Sequence, residues 1–208
     1  MQGLLLDRDL RKSSKDSEVR SVARAITTTV MRELDASRNA LLIDFLQESN
    51  LANSNGDSGE ENIEYATILS GLNLYNAKLS EVYLRNADLS GTDLSGTDLV
   101  RAELGGANLS KANLIGANLT GANLSKANFT EADLTAVNLS AANLTETNLT
   151  GADLSLASGS VNTLSGADLS GADLSGVKFI TKAKLELAVL CKTQLPESID
   201  LDPDRDCK

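Results

Sequence analysis

From position 74 to position 179 an apolar side chain returns at every fifth residue. Of the 22 positions so spaced, 19 are Leu, two are Phe (Phe129 and Phe179) and one is Gly159. Two residues before these centres, 14 of the 22 are Ala and most of the others are Thr or Val. Directly before them stand nine Asn and seven Asp; Ser or Thr dominates the position after, and Gly is frequent one further on. Ala107-Asn108-Leu109-Ser110-Lys111-Ala112-Asn113-Leu114 shows the pattern cleanly. Side chains two apart on an extended chain point the same way, so the Ala and Leu positions face inward together and their polar neighbours face out. The next inward residue comes three positions after the Leu, so the chain must turn once per five residues, and Gly, Asn and Ser suit that corner. A helix would need apolar spacings of three and four, so a helix is rejected for this region. Ile63 and Ile68 are earlier apolar centres, and the six-residue step from Ile68 to Leu74 predicts a one-residue bulge at Leu69 to Leu72.

The flanks follow other rules. Val19, Val22, Ala23, Ile26, Val30 and Leu34 have helical spacing, with Asp16 or Ser17 placed to cap the start. Leu41, Leu42, Phe45 and Leu46 make a second apolar face with Asp35 or Ser37 near its beginning, and a short first helix is expected over 3–12. Residues 52–60 read as a flexible linker. After Phe179 the five-residue phase is lost; Thr181 to Leu190 predicts a short helix with Thr181 as N-cap. The expected organisation is a helical N-terminal cap (1–51), a linker (52–60), a repeat domain (61–180) and a C-terminal cap and tail (181–208). A stack of repeats needs such caps, because its ends expose apolar surface and open backbone edges.

Composition narrows the chemistry. Aromatics are only 3% of the chain and His is absent, which removes His-based acid–base catalysis, Ser–His and Cys–His pairs and His-ligated metals. Cys191 and Cys207 are too few for a structural zinc site and can be either a disulfide or two free thiols. No catalytic residue, metal ligand or cofactor is expected, and a stacked Leu core leaves no substrate cavity. The formal net charge is −10, of which −7 falls on residues 61–180 while residues 1–50 are balanced. An acidic surface repels phosphate, so direct nucleic-acid binding is not expected. The Leu4-Leu5-Leu6 run is too short for a signal-peptide core, and no stretch approaches a membrane span, so a soluble, cytoplasmic protein is expected.

The repeated A(D/N)LSG unit resembles the pentapeptide-repeat family over residues 61–180. The resemblance implies an all-β solenoid, a right-handed quadrilateral β-helix with four pentapeptides per coil. The segment Val22 to Leu51 is similar to the helical segment that precedes the repeats in many cyanobacterial members. The stretch Leu190 to Pro196 with the final Asp206-Cys207 resembles a tail in which two cysteines bracket a proline-containing loop. That likeness supports a Cys191–Cys207 bond; free thiols remain the alternative.

With four units per coil, residues 20 apart stack on one face. Asn73, Asp93, Asn113, Asp133, Asp153 and Asp173 would then form one outer column. Asp93, Asp133, Asp153 and Asp173 are candidate interaction residues, the other reading being a solvated position where Asp and Asn interchange. Leu156 and Val161 fall at outward positions beside Gly159 and are candidates for a partner contact, unless the local turn tucks them into the gap left by Gly159. The expected function is a non-enzymatic scaffold that presents a rigid surface and a helical cap to an unknown protein partner. A second reading is an acidic DNA mimic acting on an enzyme such as gyrase, as some family members do. A third is a membrane-associated adaptor. A monomer is expected rather than a dimer through the C-terminus.

Overall fold

The structure is a computed structural model that describes residues 35, 38, 41, 69–159, 163–177 and 180–207. The expected N-terminal helices and linker lie outside these residues, apart from three positions. Arg38 and Leu41 are helical, and the Arg38 amide donates to Asp35 Oδ1 at 3.0 Å, the bond an N-cap makes.

From Leu69 onward the chain winds in coils of 20 residues. Parallel bridges link Asn73 to Asp93, Lys78 to Asp98, Tyr83 to Glu103 and Asp88 to Asn108, and each series continues in further steps of 20. These four series define four faces. Face 1 carries the Asn73–Asp93–Asn113–Asp133–Asp153–Asp173 column, face 2 the column from Lys78 to Ser158, face 3 that from Tyr83 to Thr163, and face 4 that from Asp88 to Asp168. Successive coils are about 4.8 Å apart, the spacing of hydrogen-bonded strands.

Where Asn or Asp precedes the Leu, the five-residue unit gives each backbone N–H a partner. At Leu94 the amide donates to Asn113 O in the next coil, and the Asp93 amide to Leu72 O in the preceding one. The Gly96 amide donates to Ile115 O, and the Thr97 amide closes the corner on Leu94 O. That leaves the amide of Ser95, which donates to the Asp93 side chain at 3.1 Å. Four amides per unit are therefore held by backbone carbonyls and the fifth by the residue before the Leu. A buried or half-buried amide without an acceptor is destabilising, so this position favours a short side chain with an oxygen in reach. All sixteen Asn and Asp residues there make the bond; Thr163 makes it with its hydroxyl.

The corner residue two after each Leu has positive φ from Gly71 to Gly171 wherever it is described, with a bond across the corner, the geometry of a type II turn. Eleven of these twenty corners are not Gly, among them Arg101, Ala136, Ala141 and Leu156. Inside, the Leu and Ala positions are almost wholly buried. Where Thr replaces Ala the hydroxyl is still satisfied: Thr97 Oγ1 donates to Leu74 O at 2.9 Å and Thr147 Oγ1 to Leu124 O at 3.0 Å.

Three sequence expectations change. Leu69 is 5% exposed, its carbonyl accepts the Leu72 amide across a corner like every other, and Thr92 Oγ1 bonds to it. The five-residue phase therefore already holds at Leu69, and no bulge separates it from Leu74; in the sequence Ile68, apolar and one position earlier, masks that phase. At the other end the helix is shorter than expected: α1 spans only Lys182–Leu185, and Thr181 occupies its N-cap position without a side-chain capping bond. Beyond it the repeat resumes, displaced by one residue. Asp168 bridges to Val189 and Asp173 to Gln194, steps of 21. Ile180, Leu185 and Leu190 are buried at five-residue spacing, Lys192 takes the positive-φ corner, and Thr193 Oγ1 donates to Leu169 O. The tail thus contributes two further sides to the stack. Leu156 keeps its expected outward position, 67% exposed and not filling the space beside Gly159, while Val161 lies outside the described residues.

Gly159 itself has φ +96°, and a Cβ added there would sit 2.4 Å from the Ser140 backbone nitrogen. The Gly159 backbone lies against the Ser140 backbone too closely to admit a side chain. Gly159→Ala is expected to destabilise the stack by about 2 kcal/mol, since both the φ and the contact must relax; Gly116→Ala, whose Cβ meets open space at φ +66°, is the control and should lose less than half as much in chemical denaturation.

Candidate functional site

The four faces differ in their outer columns. Faces 3 and 4 carry side-chain ladders: Asn128 Nδ2 donates to Asn108 Oδ1 at 3.1 Å, Asn108 Nδ2 to Asp88 Oδ1 at 3.2 Å, and Asn123 Nδ2 to Glu103 Oε2 at 2.9 Å. Amide donors there meet carbonyl or carboxylate acceptors from coil to coil. Face 1 is unlike them. The structure brings Asp93, Asp133, Asp153 and Asp173 into one column, with Asp133, Asp153 and Asp173 on consecutive rungs. Each turns Oδ1 to the amide two residues on, at 2.8–3.1 Å, which leaves Oδ2 as the open acceptor among the described residues. The Asp/Asn interchange and the acidic column therefore coexist: Oδ1 builds the fold in either residue, and only Asp adds charge.

Like charges directly opposite one another on neighbouring rungs repel. Asp153→Asn removes two such contacts and supplies an amide of the kind that bridges Asn108 and Asn128. It is expected to stabilise the protein by about 0.5 kcal/mol at low salt, a gain that fades as salt screens the charges; thermal melts at two ionic strengths check both parts.

The edges between faces carry ion pairs. Arg101 pairs with Glu81 at 3.3 Å, and Lys111 with Glu131 and Lys126 with Glu146 at 3.6 Å, each across one coil. All six side chains are exposed, so these pairs add little stability but neutralise their edges. The edge between faces 1 and 2 has no such pair. It presents Tyr75, Ile115 and Leu156, exposed by 53%, 43% and 67%.

At the C-terminal end Cys191 and Cys207 form a disulfide. Asp206 Oδ2 accepts the Leu190 amide at 2.9 Å and Asp204 Oδ1 the Lys192 amide at 2.8 Å. In every earlier coil these two amides would bond to carbonyls of the coil that follows, so the tail carboxylates stand in for a missing coil. The Arg205 guanidinium, donating to Asp206 at 2.8 Å, and the Leu190 amide hold the Asp206 carboxyl below its ordinary value. Sequence reading missed this clamp, because the Asp-x-Asp spacing carries meaning only once Leu190 and Lys192 are known to lie on the last rung.

Among the described residues no group of His, Cys, Asp and Glu side chains is arranged to hold a metal, and no helix is long and apolar enough to cross a membrane. The molecule is thus a repeat solenoid whose distinguishing chemistry lies on its outer columns and edges. Residues 67–106, 102–140 and 138–179 match the family model described as pentapeptide repeats, and the chain belongs to the pentapeptide-repeat family. Such proteins are generally structural or interaction proteins.

Comparison with curated proteins gives no match. Among solved structures the chain is similar to a pentapeptide repeat protein (Rfr23) from the cyanobacterium Cyanothece 51142, at 29% identity over 58% of this chain and 65% of that one, with a TM-score of 0.34. The match thus spans less than two thirds of that relative's length. A second, from the Arabidopsis thaliana thylakoid lumen, is 26% identical over 71% of this chain and 91% of that one, TM-score 0.25. A third, QnrB1, a plasmid-mediated fluoroquinolone resistance protein, is 19% identical over 66% and 85%, TM-score 0.27.

Proposed function

We propose that this protein is a non-enzymatic scaffold that binds another protein through face 1 and its edge with face 2. The observation that carries the reading is the asymmetry of the outer surface. Three edges are charged and face 1 is acidic, while the edge bordering face 1 holds exposed Tyr75, Ile115 and Leu156. Exposed aliphatic and aromatic side chains are common singly, but their alignment on one edge beside a column of one charge suits a docking surface. The candidate residues Asp93, Asp133, Asp153, Asp173 and Leu156 all belong to this region.

Affinity capture from the source organism with the full chain tests the reading. A specific partner retained by wild type supports it. The absence of any partner at micromolar bait, with the protein folded, counts against it. A second reading, a DNA mimic, is favoured only by the run Asp133-Asp153-Asp173, whereas the neutralised edges and the apolar edge oppose it. An effect of the purified protein on gyrase supercoiling would favour the mimic over the scaffold.

A further inference from the structure

The corner residues between faces 1 and 2 form the edge of six successive coils, and none of the twelve is Asp, Glu, Lys or Arg. Tyr75, Ile115 and Leu156 are its large side chains. The rungs between are small: Gly96, Gly116, Ala136 and Gly176 stand at the corner itself. Asn76 lies over Gly96, with the Tyr75 ring beyond it at 4.0 Å from an added Cβ, and Leu156 leans over Gly176, where an added Cβ would lie 3.3 Å from its side chain. Three knobs therefore project above a low ridge.

Their spacing is informative. Tyr75 and Ile115 hold the same corner position two coils apart, about 10 Å at the strand spacing, and Leu156 lies two coils beyond Ile115 and one residue further round the corner. Seven residues of α-helix rise about 10.5 Å. Apolar residues at i, i+7 and i+14 lie close to one line along a helix and would meet Tyr75 and Ile115 in register and Leu156 beside that line. Three residues of extended chain also rise about 10 Å, but alternate residues of a strand point to opposite sides, so a strand cannot turn every third side chain to one edge.

Charge sets the second requirement. Face 1 lines one side of the edge with Asp93, Asp133, Asp153 and Asp173, each with Oδ1 engaged by its own turn and Oδ2 open among the described residues. The face 2 column beyond Lys78 and Asp98 is uncharged through Asn118, Asn138 and Ser158. A helix on the edge gains from cations on the flank towards face 1 and needs none on the other.

Resting on the scaffold reading, we propose that the edge between faces 1 and 2 docks an amphipathic α-helix of a partner protein, one with a heptad-spaced apolar stripe and Lys or Arg along one flank. Its complementarity resembles helix-in-groove recognition laid on a ridge, with apolar anchors for affinity and the acidic column for orientation.

The test titrates the full chain with a labelled 21-residue helical peptide carrying Leu at positions 1, 8 and 15 and Lys on one flank. Fluorescence anisotropy reads binding and circular dichroism reads helix formation. Binding is expected to exceed that of a scrambled peptide of the same composition by at least about tenfold, or about 1.4 kcal/mol. It should fall at least tenfold in the Ile115→Ser, Leu156→Asn double variant, where Asn tolerates the positive φ of residue 156. It should fall several-fold in Asp153→Asn. Equal binding of the scrambled peptide, or unchanged binding by a double variant of wild-type stability, overturns the proposal. Partner capture repeated with the double variant separates the two readings: a partner held equally by it leaves the scaffold standing and removes this edge from it.

Discussion

Phe129→Ala is expected to destabilise the protein by about 3–5 kcal/mol and to split its unfolding into two transitions. Phe129 is wholly buried in the face 4 interior column, between Leu109 and Leu149 on the adjacent coils. Removing the ring leaves a void that the walls cannot close. The Phe129 amide is tied to Asn148 O at 2.7 Å and the Asn128 amide to Ala107 O at 2.8 Å, so the coils stay at ladder spacing. A globular core can relax sideways into such a gap, whereas a stack of hydrogen-bonded coils would have to break rungs. The defect sits near the middle of the stack, and stability here is a sum over neighbouring coils. Weakening one interface lets the coils on either side unfold separately. Phe129→Leu restores the residue usual at this position and should cost no more than about 1.5 kcal/mol. Denaturant curves of the two variants measure this; a single, unshifted transition for Phe129→Ala would show that the coils do not share load as described.

Much of this architecture could be read from the chain because the repeat is strict. The Leu and Ala positions fix which side chains face inward, and the column of Asp93, Asp133, Asp153 and Asp173 follows from stacking every 20 residues. Other features depended on partners distant in sequence. Leu69 was hidden beside Ile68, since two adjacent aliphatic residues cannot be phased without seeing that Leu69 O accepts both the Leu72 amide and the Thr92 hydroxyl. The return of the repeat at Ala188-Val189-Leu190 was hidden by one extra residue, which breaks a fixed period but leaves Val189 free to bridge Asp168. The preference for Asn or Asp before each Leu is visible as composition, yet its cause, an amide left over by the ladder, is visible only in the bonding. The exposure of Leu156 is an open alternative in the sequence, because the neighbouring Gly159 offers a gap that Leu156 could fill but does not.

Reducing the Cys191–Cys207 disulfide, or replacing Cys191 by Ser, is expected to remove about 3 kcal/mol of stability from the C-terminal end, the chain-entropy value for a loop of this length. The effect should be local. The bond tethers the tail whose Asp206 and Asp204 carboxylates hold the Leu190 and Lys192 amides, and whose Arg205 donates to the Ala188 carbonyl. Without the tether those bonds must hold the tail alone, and the last rung becomes an open edge. Hydrogen exchange should then accelerate at Leu190 and Lys192 and stay unchanged at Leu114, several coils away. Acid should act in the same direction. Asp206 is held below its ordinary value of 3.8 by Arg205 and the Leu190 amide, so its contribution is complete above that pH and is lost as the pH falls through the lowered value. In the reduced protein the two effects combine, and the tail should detach in acid before the coils above it melt. Protection at Leu190 and Lys192 that survives reduction at low pH would mean that α1 and the displaced coil close the solenoid without the clamp.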